Sequence, residues 1–180
     1  MTAPETIRQG PVRTPANRVI QGLVFVAGAV VLEITVGAER TGFHWTPLIL
    51  GVSYLVAAAI DGPRGGYWAT AIGLTGWGLV VMLFFEIRPV DVDGAGTYLA
   101  GVGLAVVVAA LLRSRGFQVS DVGLGVTIAA AGIVLALSPR VSELEDGTTY
   151  AIALGLVGLY NVAAGGIALS RDRRAAQPAR

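Results

Sequence analysis

The sequence contains no cysteine and no lysine, a single histidine, and only 14% charged residues. Each shortage excludes a class of chemistry. Without cysteine there is no disulfide framework and no thiolate nucleophile or ligand. Without lysine there is no Schiff base, and so no retinal protein of the usual kind; all thirteen basic residues are arginine. The lone His44 cannot form the His-Glu-x-x-His pair of a zinc hydrolase. There is no Walker loop and no dinucleotide fingerprint either. A soluble domain carries roughly 25% charged residues, well above the proportion here. The net charge of +1 gives nucleic acid no electrostatic footprint.

What is present is apolar. Hydrophobic residues make up 54% of the 180, and 25 are glycine, a residue more frequent in transmembrane helices than in soluble ones. A helix needs about 20 largely apolar residues to cross roughly 30 Å of hydrocarbon. Six stretches qualify or nearly qualify: 19–37, 45–60, 67–86, 97–112, 120–138 and 149–169. Short connections rich in Gly, Pro, Asp and Arg separate them. No stretch alternates with period two, which argues against a transmembrane barrel. The expected fold is therefore an all-α integral membrane protein. Its polar N-terminal segment covers residues 1–18, its membrane domain 19–169 and its basic tail 170–180. Residues 1–18 carry Pro4, Pro11 and Pro15 and lack the pattern of a cleavable signal.

Arginine orients the chain. With the N-terminus inside, the inner segments hold Arg8, Arg13, Arg18, Arg64, Arg113, Arg115, Arg171, Arg173, Arg174 and Arg180, whereas the outer loops hold Arg40, Arg88 and Arg140. That bias predicts both termini in the cytoplasm of a multi-pass protein of the cell membrane. Arginine-only usage with abundant Ala, Gly and Val suggests a prokaryotic source.

The chain also repeats. The stretch G78-L-V-V-M-L-F-F-E-I-R-P-V-D-V-D-G-A-G-T-Y98 matches G132-I-V-L-A-L-S-P-R-V-S-E-L-E-D-G-T-T-Y150 in outline, and Trp45 stands at the equivalent place in the first copy. Three consecutive helical hairpins are expected, at about 19–60, 67–112 and 120–169, as parallel copies. Small-residue stripes at helical spacing, Gly96/Ala100/Gly103, Gly125/Ala129/Gly132/Ala136 and Ala151/Gly155/Gly158, are expected to be internal helix contacts. Dimerisation through one of them is the alternative.

On these residues the pattern resembles the HdeD-like family, short six-span bacterial membrane proteins built from repeated hairpins. G132-I-V-L-A-L-S-P-R140 and the following A151-I-A-L-G-L-V-G-L-Y-N-V-A-A-G-G-I-A-L-S-R-D-R-R174 carry the resemblance best. It implies a small inner-membrane protein linked to stress or acid tolerance, and it supplies no catalytic residues.

The residues nominate no reaction, and the chain is expected not to be an enzyme or to need a cofactor. G51-V-S-Y54 lacks the Gly of a membrane serine protease, and no histidine follows to act as base; Ser53 is expected to bond back within its own helix. The acidic loops containing Asp91, Asp93, Glu143, Glu145 and Asp146 offer a weak cation site, against a plainer reading as turns and helix caps. His44, beside Trp45 at an interfacial aromatic belt with Tyr98 and Tyr150, is a candidate sensor of external pH. Within the spans the polar positions are Gln21, Glu33, Thr75, Thr127 and Asn161. Glu33 and Asn161 form the candidate intramembrane polar site. Glu33 has three options: protonation, pairing with Arg40 or Arg88, or lining an outward cavity.

Three functions follow as expectations: a non-enzymatic membrane protein of stress tolerance, a minimal channel or carrier using Glu33, or an accessory subunit. The bilayer is the expected partner, with a second copy or another membrane protein beyond it.

Overall fold

In the computed structural model, residues 14–87, 94–137 and 141–175 are described. They form six α-helices and, among the described residues, no strand: α1 Pro15–Leu32, α2 Thr46–Asp61, α3 Trp68–Ile87, α4 Gly94–Ser114, α5 Asp121–Leu137 and α6 Gly147–Ala175. Five segments are long and apolar enough to cross a membrane, while α5 is shorter, at 17 residues. The outward surface agrees with an apolar solvent. Leu99, Val122 and Tyr160 are 72%, 76% and 65% exposed, an arrangement lipid tolerates and water does not.

Local signals set the helix ends. Thr14 caps α1 by accepting from Asn17 N at 3.2 Å, with Pro15 at the first helical position. At its other end α1 widens into a π turn, Glu33–Gly37, in which Ala38 N donates to Glu33 O at 2.8 Å. Asp146 accepts from Thr148 N at 2.9 Å and so caps α6.

The connections alternate between two ends of the bundle. At one end Asn17 Nδ2 donates to Ile60 O, Trp68 Nε1 to Gly62 O and Gln118 N to Pro63 O, at 3.4, 2.8 and 2.8 Å. At the other end Gly37 lies against Gly147, and His44 reaches Glu86.

Glycine decides how the helices meet. α3 is the hub. A Cβ on Gly78 would collide with Pro47–Leu48 of α2, one on Gly76 would lie 2.9 Å from Ala105 of α4, and one on Gly73 would lie 3.0 Å from Thr127 of α5. α1 and α6 run antiparallel along most of their shared length. A Cβ on Gly22 would come within 2.6 Å of Gly158 O, and one on Gly165 within 2.8 Å of Pro15 O. With no hydrophobic drive between helices in lipid, such backbone-to-backbone approach is the main source of contact.

The first two predicted hairpins are present, as α1 against α2 and α3 against α4. The third departs from expectation. α6 packs along α1, and α5 packs on α3, so α5 and α6 diverge after their connection. The physical reason lies in where the small residues find partners. Ala151, Gly155 and Gly158 of α6 face α1, as expected of an internal stripe. Gly125 and Gly132 of α5 and Gly103 of α4 have nothing within 4 Å of a Cβ position, and Ala129 and Ala100 are exposed. Those two stripes were expected inside and are outside; the side chains of Gly96 and Ala136 lie outside the described residues.

Candidate functional site

The intramembrane pair Glu33 and Asn161 is not brought together. Asn161 is buried between α6 and the start of α1. It accepts from Arg18 Nε at 3.3 Å and donates through Nδ2 to Val157 O at 2.8 Å. The Arg18 guanidinium lies 5.2 Å over the ring of Tyr160, a cation–π contact that helps hold it there. These partners make Asn161 a bracket between the first and last helices.

Glu33 opens the π turn at the opposite end of α1 and is exposed. Its carboxylate folds back over Gly37: a Cβ on Gly37 would lie 2.6 Å from Glu33 Oε2 and 2.9 Å from Thr148 Oγ1. Among the described residues no ion pair joins it to Arg40, and Arg88 lies outside them. Glu33 lines neither the cleft between α5 and α6 nor the polar pocket formed by Val36–Phe43 and Asp146–Gly147. Of the three options for this residue, the outward cavity therefore finds no counterpart in either space. The wider π turn lets the side chain lie along the helix end, over Gly37.

Among the described residues, the acidic loops supply a cap to α6. Asp146 holds the α6 N-terminus, and Tyr150 OH donates to Leu144 O at 2.9 Å. Asp91 and Asp93 lie outside the described residues, as does the side chain of Glu145. No group of three or more metal-ligating side chains occurs among the described residues, Glu143 included. Ser53 Oγ donates to Ile49 O at 2.9 Å, the intrahelical bond expected of it.

A further polar arrangement lies at the end of α3. Glu86 Oε1 accepts from Trp45 Nε1 at 2.9 Å and lies 3.0 Å from His44 Nε2. When Glu86 is ionised its oxygen only accepts, and His44 is then the donor through Nε2. The imidazole also stacks on Phe85, with ring centroids 5.2 Å apart and planes 13° from parallel. Its side chain is 20% exposed, against 50% for Glu86. Gly42 makes this possible, because a Cβ there would lie 2.5 Å from His44 Cε1. The sequence nominates His44 but not Glu86. Their separation of 42 residues hides the pairing, although Glu86 ends an apolar run at the interface where Trp45 begins another.

Two further residues escape a reading by type alone. Gln21 is fully buried and donates through Nε2 to Ala57 O at 2.9 Å, which binds α1 to α2. Both carboxylate oxygens of Asp61 are shielded from solvent at the α2–α3 turn. Adjacent Asp-Gly-Pro residues suggest a plain turn there and conceal that shielding.

No known protein family, curated protein or solved structure matches the chain. Function must therefore be argued from the chain's own residues.

Proposed function

We propose that this chain is a non-enzymatic six-span protein of the prokaryotic cytoplasmic membrane, with both termini inside, that contributes to tolerance of external acid. The single observation that supports this most is the junction at the end of α3, where one Glu86 oxygen holds both His44 and Trp45. In the proposed orientation this junction faces outward. A carboxyl that takes up a proton bonds to both rings more weakly than an ionised one. The junction ties the α1–α2 connection to α3, so its release frees that connection. The resemblance to HdeD-like proteins agrees with this reading.

The test is survival of a strain lacking the gene after a low-pH challenge. Wild-type chain is expected to restore survival, and His44→Gln and Glu86→Gln chains are expected to restore it poorly. Full rescue by both variants, or no defect in the deleted strain, removes the acid-tolerance reading. A reporter fused after Arg180 checks the orientation independently and should be active only inside.

A second reading, an accessory subunit, draws on the open stripes of α4 and α5. Purification in mild detergent should then recover a stoichiometric membrane partner or a second copy. A clean monomer excludes it. The carrier reading loses its main support, since Glu33 lines neither space described above. Ion flux in liposomes that falls on Glu33→Gln would restore it.

A further inference from the structure

α6 is longer than a crossing requires. Its 29 residues, Gly147–Ala175, extend about 43 Å at 1.5 Å per residue. The hydrocarbon of a bilayer is roughly 30 Å thick, and the whole bilayer with its headgroup layers roughly 40–45 Å. A span that starts at the Asp146 cap therefore leaves the hydrocarbon near about residue 167. α1 begins at that level too, because the Pro15 carbonyl lies against Gly165. The last turns of α6, with Arg171, Arg173 and Arg174, then lie in the layer of lipid phosphates.

A pocket of about 420 Å³ runs along this end of α6, lined by Gly166, Leu169, Ser170, Arg173 and Arg174. Spacings of three, one, three and one put these five residues on one helix face. The face changes character along its length. Its deeper half is apolar and open: a Cβ on Gly166 would meet nothing within 4 Å. Its other half carries two guanidinium groups. Arg173 and Arg174 are exposed, and among the described residues neither has an ion pair, the adjacent Asp172 included. Between the halves, Ser170 Oγ already donates its hydrogen to Ile167 O at 2.8 Å.

Two unpaired cations call for an anion, and a guanidinium matches phosphate through paired N–H donors. Free phosphate or nucleic acid would leave the Gly166–Leu169 half empty. A phospholipid covers both halves. One with a choline beside its phosphate brings a cation back toward the arginines, so a lipid of net negative charge fits better. We propose that the C-terminal end of α6 binds one anionic phospholipid, with its phosphate held by Arg173 and Arg174 and its glycerol–acyl junction seated on Gly166 and Leu169. The site forms at whichever face of the bilayer the tail occupies. It is separate from the His44–Glu86 junction, which lies at the opposite end of the bundle.

The full-length protein in neutral detergent is titrated with phosphatidylglycerol or phosphatidylcholine of matched acyl chains, and bound lipid is counted by native mass spectrometry. The expected result is one phosphatidylglycerol held about ten-fold more tightly than phosphatidylcholine. Arg173→Gln with Arg174→Gln should weaken it by about thirty-fold. Arg64→Gln with Arg115→Gln removes the same charge elsewhere at that end of the bundle and should change binding by less than about two-fold. Gly166→Leu keeps every charge and displaces nothing in the fold, yet should weaken binding by about four-fold by filling the seat. Equal binding of the two lipids, or equal losses from the two arginine pairs, overturns the site. An unchanged affinity in Gly166→Leu overturns the seat of the glycerol–acyl junction. Release of phosphatidylglycerol by excess inorganic phosphate identifies a free-phosphate site and overturns the lipid. The preference between the two lipids is read in the wild-type chain, so the proposal stays falsifiable even if a variant folds poorly.

Discussion

Along α1 and α6, Gly22, Gly158 and Gly165 each face backbone atoms of the opposite helix. On α5, Gly125 and Gly132 face nothing within 4 Å. The composition is the same in both regions, small residues three or four apart, yet one is a seam and the other a rib standing on α3 with a cleft on each flank. Spacing prepares a helix face for close approach but does not choose its partner. The partner must offer a matching groove, and polar brackets then hold the register. The seam has such a bracket in Arg18–Asn161. Across the floor of α5, Thr127 lies 3.5 Å from Thr70, at the limit of a hydrogen bond.

This contrast can be broken most strongly at the seam. Gly22→Leu places a side chain against the Gly158 carbonyl, a backbone atom that cannot rotate away. It should cost at least about 3 kcal/mol, read as loss of the folded fraction in detergent. Asn161→Leu removes the acceptor for Arg18 and should cost about 1–2 kcal/mol, seen as a lower unfolding midpoint. Asp146→Ala removes the α6 cap and should cost about 1 kcal/mol, with earlier exchange of the amides of Thr148 and Thr149. On the rib, Gly125→Ala should be neutral or stabilise by up to about 1 kcal/mol, because helix propensity improves and nothing is displaced. A Gly125→Ala chain as unstable as Gly22→Leu would show that α5 is buried against a partner in the membrane.

Much of the fold was legible. Helix positions follow from apolar runs and their breakers, and the ends differ from expectation by a few residues: α1 begins at Pro15 and α6 runs on to Ala175. These extensions come from capping and helix propensity, which polar composition does not oppose. Pairing order was legible only where short loops force neighbours together. The α1–α6 seam joins residues more than 100 positions apart, and no local signal announces it. Among the candidate site residues, Glu33 stands out in the sequence by type, as an acid within an apolar run. Its surroundings were not readable, because they depend on a π turn and on Thr148 from the far end of the chain. His44 was visible, whereas its partner Glu86 was hidden by a separation of 42 residues. The α5–α6 cleft was invisible, since it exists only because the third hairpin opens.

The seam also has a consequence for synthesis. Because α1 is made well before α6, the glycine face of α1 has no lasting mate until α6 follows. Contacts of such long sequence separation form late. Newly inserted α1 must spend that interval against α2, held by the Gln21 bond to Ala57, or against other chains. The seam thus closes only on the arrival of α6, and a nascent chain interrupted before Gly147 would present an unmatched groove open to whatever helix passes.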